Sequence, residues 1–125
     1  MNSSLQDLAA RWVAAQARES GADEGELPLI FAVQDLTTQP ERLWEFILAA
    51  EPLCNGPHAR GMLAAGPLED LIQDFGSAYI DRIESQARRS RTFAELLTGV
   101  WIPTGTDPVT VRYLALGCDQ VRPPA

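Results

Sequence analysis

The cysteines, the histidine, the clustered acids and the arginines are the residues of this sequence that could do chemistry. His58 lies four residues after Cys54, a spacing that on a helix puts two metal ligands on one face. Asn55-Gly56-Pro57 stands between them, and that is a loop signature. A third ligand, Cys118, would have to come from near the other end of the chain. The sequence is therefore read as holding no metal site and no cofactor. Its two cysteines are too few for a disulfide framework and read as small apolar groups. All ten basic residues are arginine, so lysine Schiff-base chemistry and a P-loop lysine are excluded. One histidine in a loop offers no nucleophilic triad, and no Gly-rich phosphate loop is present. The expectation is a protein that is not an enzyme.

The acids form stripes. Asp70, Asp74 and Asp81 fall along one side of a helix at steps of four and seven. A divalent cation or a basic partner could meet such a stripe, but a solvated face opposite an apolar stripe is the ordinary pattern. Were the chain an enzyme, this stripe would be its metal site. Glu69 and Asp70 in a first helical turn also complement the helix dipole. Asp23, Glu24, Glu26, Glu41 and Glu45 are close in sequence and are expected to line one acidic edge. Arg88, Arg89 and Arg91 are the one basic cluster. A helix C-terminus attracts such charges, and a carboxylate or phosphate ligand would be their sharper use. Trp12 and Trp44 lie on apolar faces and read as core. Trp101 follows a helix stop and precedes a Pro, Gly and Thr loop, where a half-exposed binding anchor is expected.

These residues need elements to hold them. Leu5, Leu8, Ala9, Trp12 and Val13 recur at helical spacing. Pro28 suits a first helical turn, with Leu27, Ile30 and Phe31 on one face. The run LPLIFAV also fits a short buried strand, but no partner strand is evident, and helix is the reading adopted. Thr38-Gln39-Pro40-Glu41 reads as a capping box for a helix whose core face is Leu43, Trp44, Ile47 and Leu48. A short helix over 58–65 is expected to stop at Gly66-Pro67. Leu68, Leu71, Ile72 and Phe75, then Tyr79, Ile80, Ile83 and Ala87, mark further helical faces. Gly76-Ser77 between them reads as a helix stop and a new cap, with one unbroken helix over 67–89 as the competing reading. Ser90 caps Phe93, Leu96 and Leu97, and Gly99 ends that helix. Asp107-Pro108 opens a last helix whose inward face is Val111, Leu114 and Ala115, ending at Gly117.

The fold class predicted is all-α. Six to seven short helices stack as antiparallel hairpins in an orthogonal bundle or a short superhelix. They form a single domain over 1–125 with a frayed tail after about 118. Pro40, Trp44 and Ile47, with Leu68-Glu69-Asp70-Leu71-Ile72, Gly76, Ile80, Ile83-Glu84, Ala87, Phe93, Leu96-Leu97 and Gly99-Val100-Trp101, carry a resemblance. Over residues 40–101 the chain resembles a small bacterial all-helical family, a domain of unknown function. The resemblance implies a bacterial, helical, single-domain protein and no activity.

The 125 residues are 46% hydrophobic and 22% charged, the composition of a globular chain. No apolar run approaches the ~20 residues of a membrane span, and the N-terminus has no secretory pattern, so the cytoplasm is the expected site. Seventeen acids against ten bases give −7, which repels nucleic acid and anionic lipid and steers a basic protein toward the chain. The expected function is a non-enzymatic acidic interaction module. Its concrete form is a bacterial immunity protein or antitoxin that neutralises a basic partner such as a toxin. The runner-up is an accessory or regulatory domain that binds a small acidic ligand between helices through Arg88, Arg89 or Arg91.

Overall fold

A computed structural model describes residues 3–16 and 27–120 of the chain. The described residues are predominantly helical, and the fold is all-α. Backbone contacts group the chain into two compact units, Met1–Leu63 and Ala64–Ala125.

In the first unit, α1 (Ser3–Gln16) packs on α3 (Pro40–Ala50), and contacts α2 (Leu27–Asp35) and α4 (Pro57–Leu63). The expected stripe of α1 is buried at Leu5, Ala9, Trp12 and Val13. Trp12 meets the fully buried Phe46 edge-on, with ring centroids 5.8 Å apart. Leu43, Trp44 and Ile47 of α3 complete this face. Its helix does not begin with a capping box. Residues Leu36–Thr38 form a 3-10 turn, so the Thr38 hydroxyl points back and donates to the Asp35 carbonyl at 3.2 Å. Gln39 is the cap residue and its side chain also turns back, to the same carbonyl at 3.1 Å. Phe31, expected on the buried face of α2, is 60% exposed; Val33 and the following Leu36 are the buried residues. The side chains of residues 27–30 lie outside the described ones.

The second unit is organised by α5 (Glu69–Arg89), a 21-residue helix and not a short one. Gly66-Pro67 does not stop the chain. It sits inside a π-helical turn, Ala64–Leu68, that leads into α5, and the wider turn absorbs the proline that a regular helix would reject. Two helical stretches meet in α5 across a kink at Phe75 (φ −134°, ψ 22°), so the expected break is present one residue before Gly76. It is not made by a left-handed glycine stop, because the φ of Gly76 is not positive. Ser90 then caps α6 (Arg91–Leu97), accepting from the Phe93 N–H at 3.2 Å. Leu71, Ile72, Tyr79, Ile80 and Ile83 of α5 and Phe93, Leu96 and Leu97 of α6 are all buried.

After Val100 the chain forms β1 (Trp101–Ile102), crosses through α7 (Pro108–Ala115), and returns as β2 (Asp119–Gln120). The two strands pair in parallel, Trp101 with Asp119 and Ile102 with Gln120. Parallel pairing requires a crossover, and α7 supplies it. Gly117 makes the return turn at φ +111°, where a side chain would be strained. Asp119 and Gln120 thus belong to the fold and not to a tail; residues 121–125 lie outside the described ones. The inward residue of α7 is Tyr113, 2% exposed, whereas Val111 is 51% exposed. The expected face Val111, Leu114 and Ala115 is rotated away because the tyrosine docks on α5.

Candidate functional site

Trp101 is held by its backbone and left free at its side chain. Its N–H donates to Glu69 Oε1 at 2.8 Å, and its carbonyl accepts from Gln73 Nε2 at 3.2 Å. Both partners come from the first two turns of α5. The strand pairing with Asp119 adds a third constraint. The indole nevertheless remains 43% exposed, the half-exposure expected of a residue just after a helix stop.

Beside this strand, α5, the loop after β1 and the start of α7 enclose an open groove of about 270 Å³. Ile72, Ile102, Pro103, Val109 and Tyr113 give it an apolar lining, and Gln73, Asp74, Ser77 and Thr104 give it polar groups. The Tyr113 hydroxyl donates to the Gly76 carbonyl at 2.6 Å and ties α7 to the middle of α5. A Cβ on residue 76 would stand 3.3 Å from the tyrosine ring, a tight contact that glycine avoids. Burial raises the Tyr113 hydroxyl above its ordinary pKa. Asp107 accepts from the Thr110 N–H at 3.1 Å and from its hydroxyl at 2.6 Å, capping α7 as expected and closing that end of the groove. These bonds hold the Asp107 carboxyl below its usual range.

A second tie lies further along α5. Arg112 of α7 reaches Asp81 at 2.6 Å and both carboxylate oxygens of Glu84. Its hydrogen bonds lower the Glu84 carboxyl and raise the guanidinium. Asp81 is thereby removed from the expected acidic stripe. Asp70 and Asp74 remain exposed on it; partial burial, then the charges of Asp74 and Glu69, raise the Asp70 carboxyl. Among the described residues, no three His, Cys, Asp or Glu side chains could together hold a metal ion.

The other expected residues are dispersed. Asp23, Glu24 and Glu26 lie outside the described residues. Glu41 is exposed in the first turn of α3, and Glu45 is half-buried one turn on. Arg88 and Arg89 end α5 and Arg91 begins α6; all three are exposed, and none lines the groove. The roles of Glu69, Gln73 and Arg112 were not anticipated, because each depends on a partner about thirty residues away.

A family model described as "Family of unknown function (DUF6869)" matches residues 16–119. The chain belongs to that family. The match takes in the whole of α2 through α7 and so both the Trp101 strand and the groove. No curated protein and no solved structure matches the chain. Among the described residues, no helix is long and apolar enough to cross a membrane.

Proposed function

We propose that this DUF6869 chain is a non-enzymatic interaction module that recognises a basic protein partner. The observation that carries the reading is Trp101. An aromatic side chain that is exposed while its backbone is fixed on both sides offers contact area at low ordering cost, which is how interface hot spots are built. The negative charge of the chain supplies the complementary part, fast encounter with a cationic surface. The concrete form we give it is an immunity protein or antitoxin of a bacterium, working in the cytoplasm on a basic toxin. Such a protein needs a stable fold, an acidic surface and a few anchors, and no catalytic group.

The test is stopped-flow association, at two salt concentrations, with the basic protein captured from the native host. Reversing Glu24, Glu26, Glu41 and Glu45 to arginine takes the net charge from −7 to +1. It is expected to slow association by about tenfold or more and to flatten its salt dependence. Trp101→Ala is expected to act on dissociation instead, raising its rate by about tenfold or more, as loss of a buried anchor does. Unchanged rates in both variants overturn the reading.

A further inference from the structure

We propose that the groove between α5, the loop after β1 and the start of α7 receives an arginine side chain of the partner protein. This rests on the interaction-module reading and names the chemistry of its second contact. Three observations point to a guanidinium. The lining carries two carboxylates, Asp74 and Asp107, and no basic residue, so the groove favours a cation. Of these two, Asp107 is occupied by Thr110, whereas the Asp74 carboxylate has no hydrogen bond or ion pair among the described residues. Ser77 stands three residues after Asp74 on the same wall, with a hydroxyl that is likewise unengaged among the described residues.

A planar fork with five donors can meet a carboxylate through two N–H groups and still reach a neighbouring hydroxyl, which an ammonium point charge matches less well. The apolar lining formed by Ile72, Pro103 and Val109 suits the methylene stem of the same side chain. The walls are already in place, through the Tyr113–Gly76 and Asp107–Thr110 hydrogen bonds, so binding orders the ligand more than the site. Trp101 and this groove are joined through Gln73, which lines the one and bonds the carbonyl of the other. The partner would present an aromatic-binding surface and an arginine side by side.

The experiment is a titration of the full-length chain, ¹⁵N-labelled, with Nα-acetyl-arginine N-methylamide. Its citrulline and lysine counterparts serve as probes of charge and shape. Saturable amide shifts confined to residues 72–77 and 102–110 are expected. The citrulline compound should bind at least about tenfold more weakly, because it keeps the shape and loses the charge. Asp74→Asn should weaken the arginine compound by a similar factor, and Ser77→Ala by less. Asp74 is exposed, so the variant is expected to melt with the parent chain; a circular-dichroism melt checks this. Non-saturating shifts spread over Glu41 and Glu45, or equal binding by Asp74→Asn, overturn the site. Equal affinity for the lysine compound overturns the guanidinium assignment. If the site fails here while the association rates above still respond to charge reversal and to Trp101→Ala, the groove is wrong and the module reading stands.

Discussion

The two units of this chain have different kinds of cohesion. The first carries nine acids against four arginines, and its described core is mostly apolar, with Trp12 edge-on to Phe46, α1 laid along α3 and Glu51 as a buried charge. The hydrogen bonds of Thr37, Thr38 and Gln39 reach three or four residues back along the chain. The second carries eight acids against six arginines and is tied by polar groups across long stretches of sequence. Trp101 is bonded to Glu69, Arg112 to Glu84 and Tyr113 to Gly76, at separations of 28 to 37 residues. Apolar packing tolerates small shifts, whereas a hydrogen bond fixes position and orientation together. The polar ties of the second unit are also the ones that pin Trp101 and hold the walls of the groove.

The sharpest way to break this contrast is to delete packing in the first unit. Phe46→Ala should cost about 3–5 kcal/mol in urea denaturation, the range for a fully buried aromatic truncated to alanine. A cost below about 1 kcal/mol would mean that the first unit does not depend on that core. The second unit should respond less to loss of a single tie. Tyr113→Phe keeps the packing and removes one hydrogen bond, for about 1 kcal/mol. Gly76→Ala should also destabilise by about 1 kcal/mol. Gains in helix propensity of about that size are outweighed when a Cβ is forced against a tyrosine whose hydroxyl is anchored to the same residue. A stabilised Gly76→Ala chain would show that Tyr113 can move aside.

Acid should discriminate the units more gently. Glu84 and Asp107 have carboxyls lowered by their partners, so the unfolded chain takes up their protons first as pH falls. Their contribution is fully present above the unfolded values, about 4.3 and 3.9, and is lost as pH falls through the lower folded ones. Arg112→Gln should remove the Glu84 part and move the acid-unfolding midpoint to higher pH by a few tenths, while leaving melts between pH 6 and 8 nearly parallel to the parent's. An unchanged acid midpoint would show that the Arg112 tie is cosmetic.

The same contrast explains what could be read from the sequence. Helical spacing located most of the buried residues of α1, α3, α5 and α6, and the Ser90 and Asp107 caps, because each of these signals is local. It missed the fully buried Phe46, and Leu8, Leu48, Phe75 and Ala87 are only half-buried. Long-range effects were not legible. Nothing near Val111 says that Tyr113 will turn α7 by docking on a glycine 37 residues earlier. Nothing near Gly66-Pro67 says that a π turn will carry the chain through. A two-residue strand such as Trp101–Ile102 has no period to detect. Of the site, the exposure of Trp101 was anticipated from its place after a helix stop. The groove was not, since its walls come from three separate stretches of the chain.

Cys118 sits at the joint between α7 and β2, almost wholly buried, with its thiol pushed up to about 12 by that burial. A thiol in this state has almost no nucleophilic anion at neutral pH. Cys54 is half-buried by comparison, and burial raises its thiol as well. Under an alkylating reagent the two sulfurs should therefore mark time differently. Cys54 records the native chain, and Cys118 reacts only when β2 detaches from β1. Mass spectra taken over a labelling course would thus read out how often that return strand opens, with no mutation.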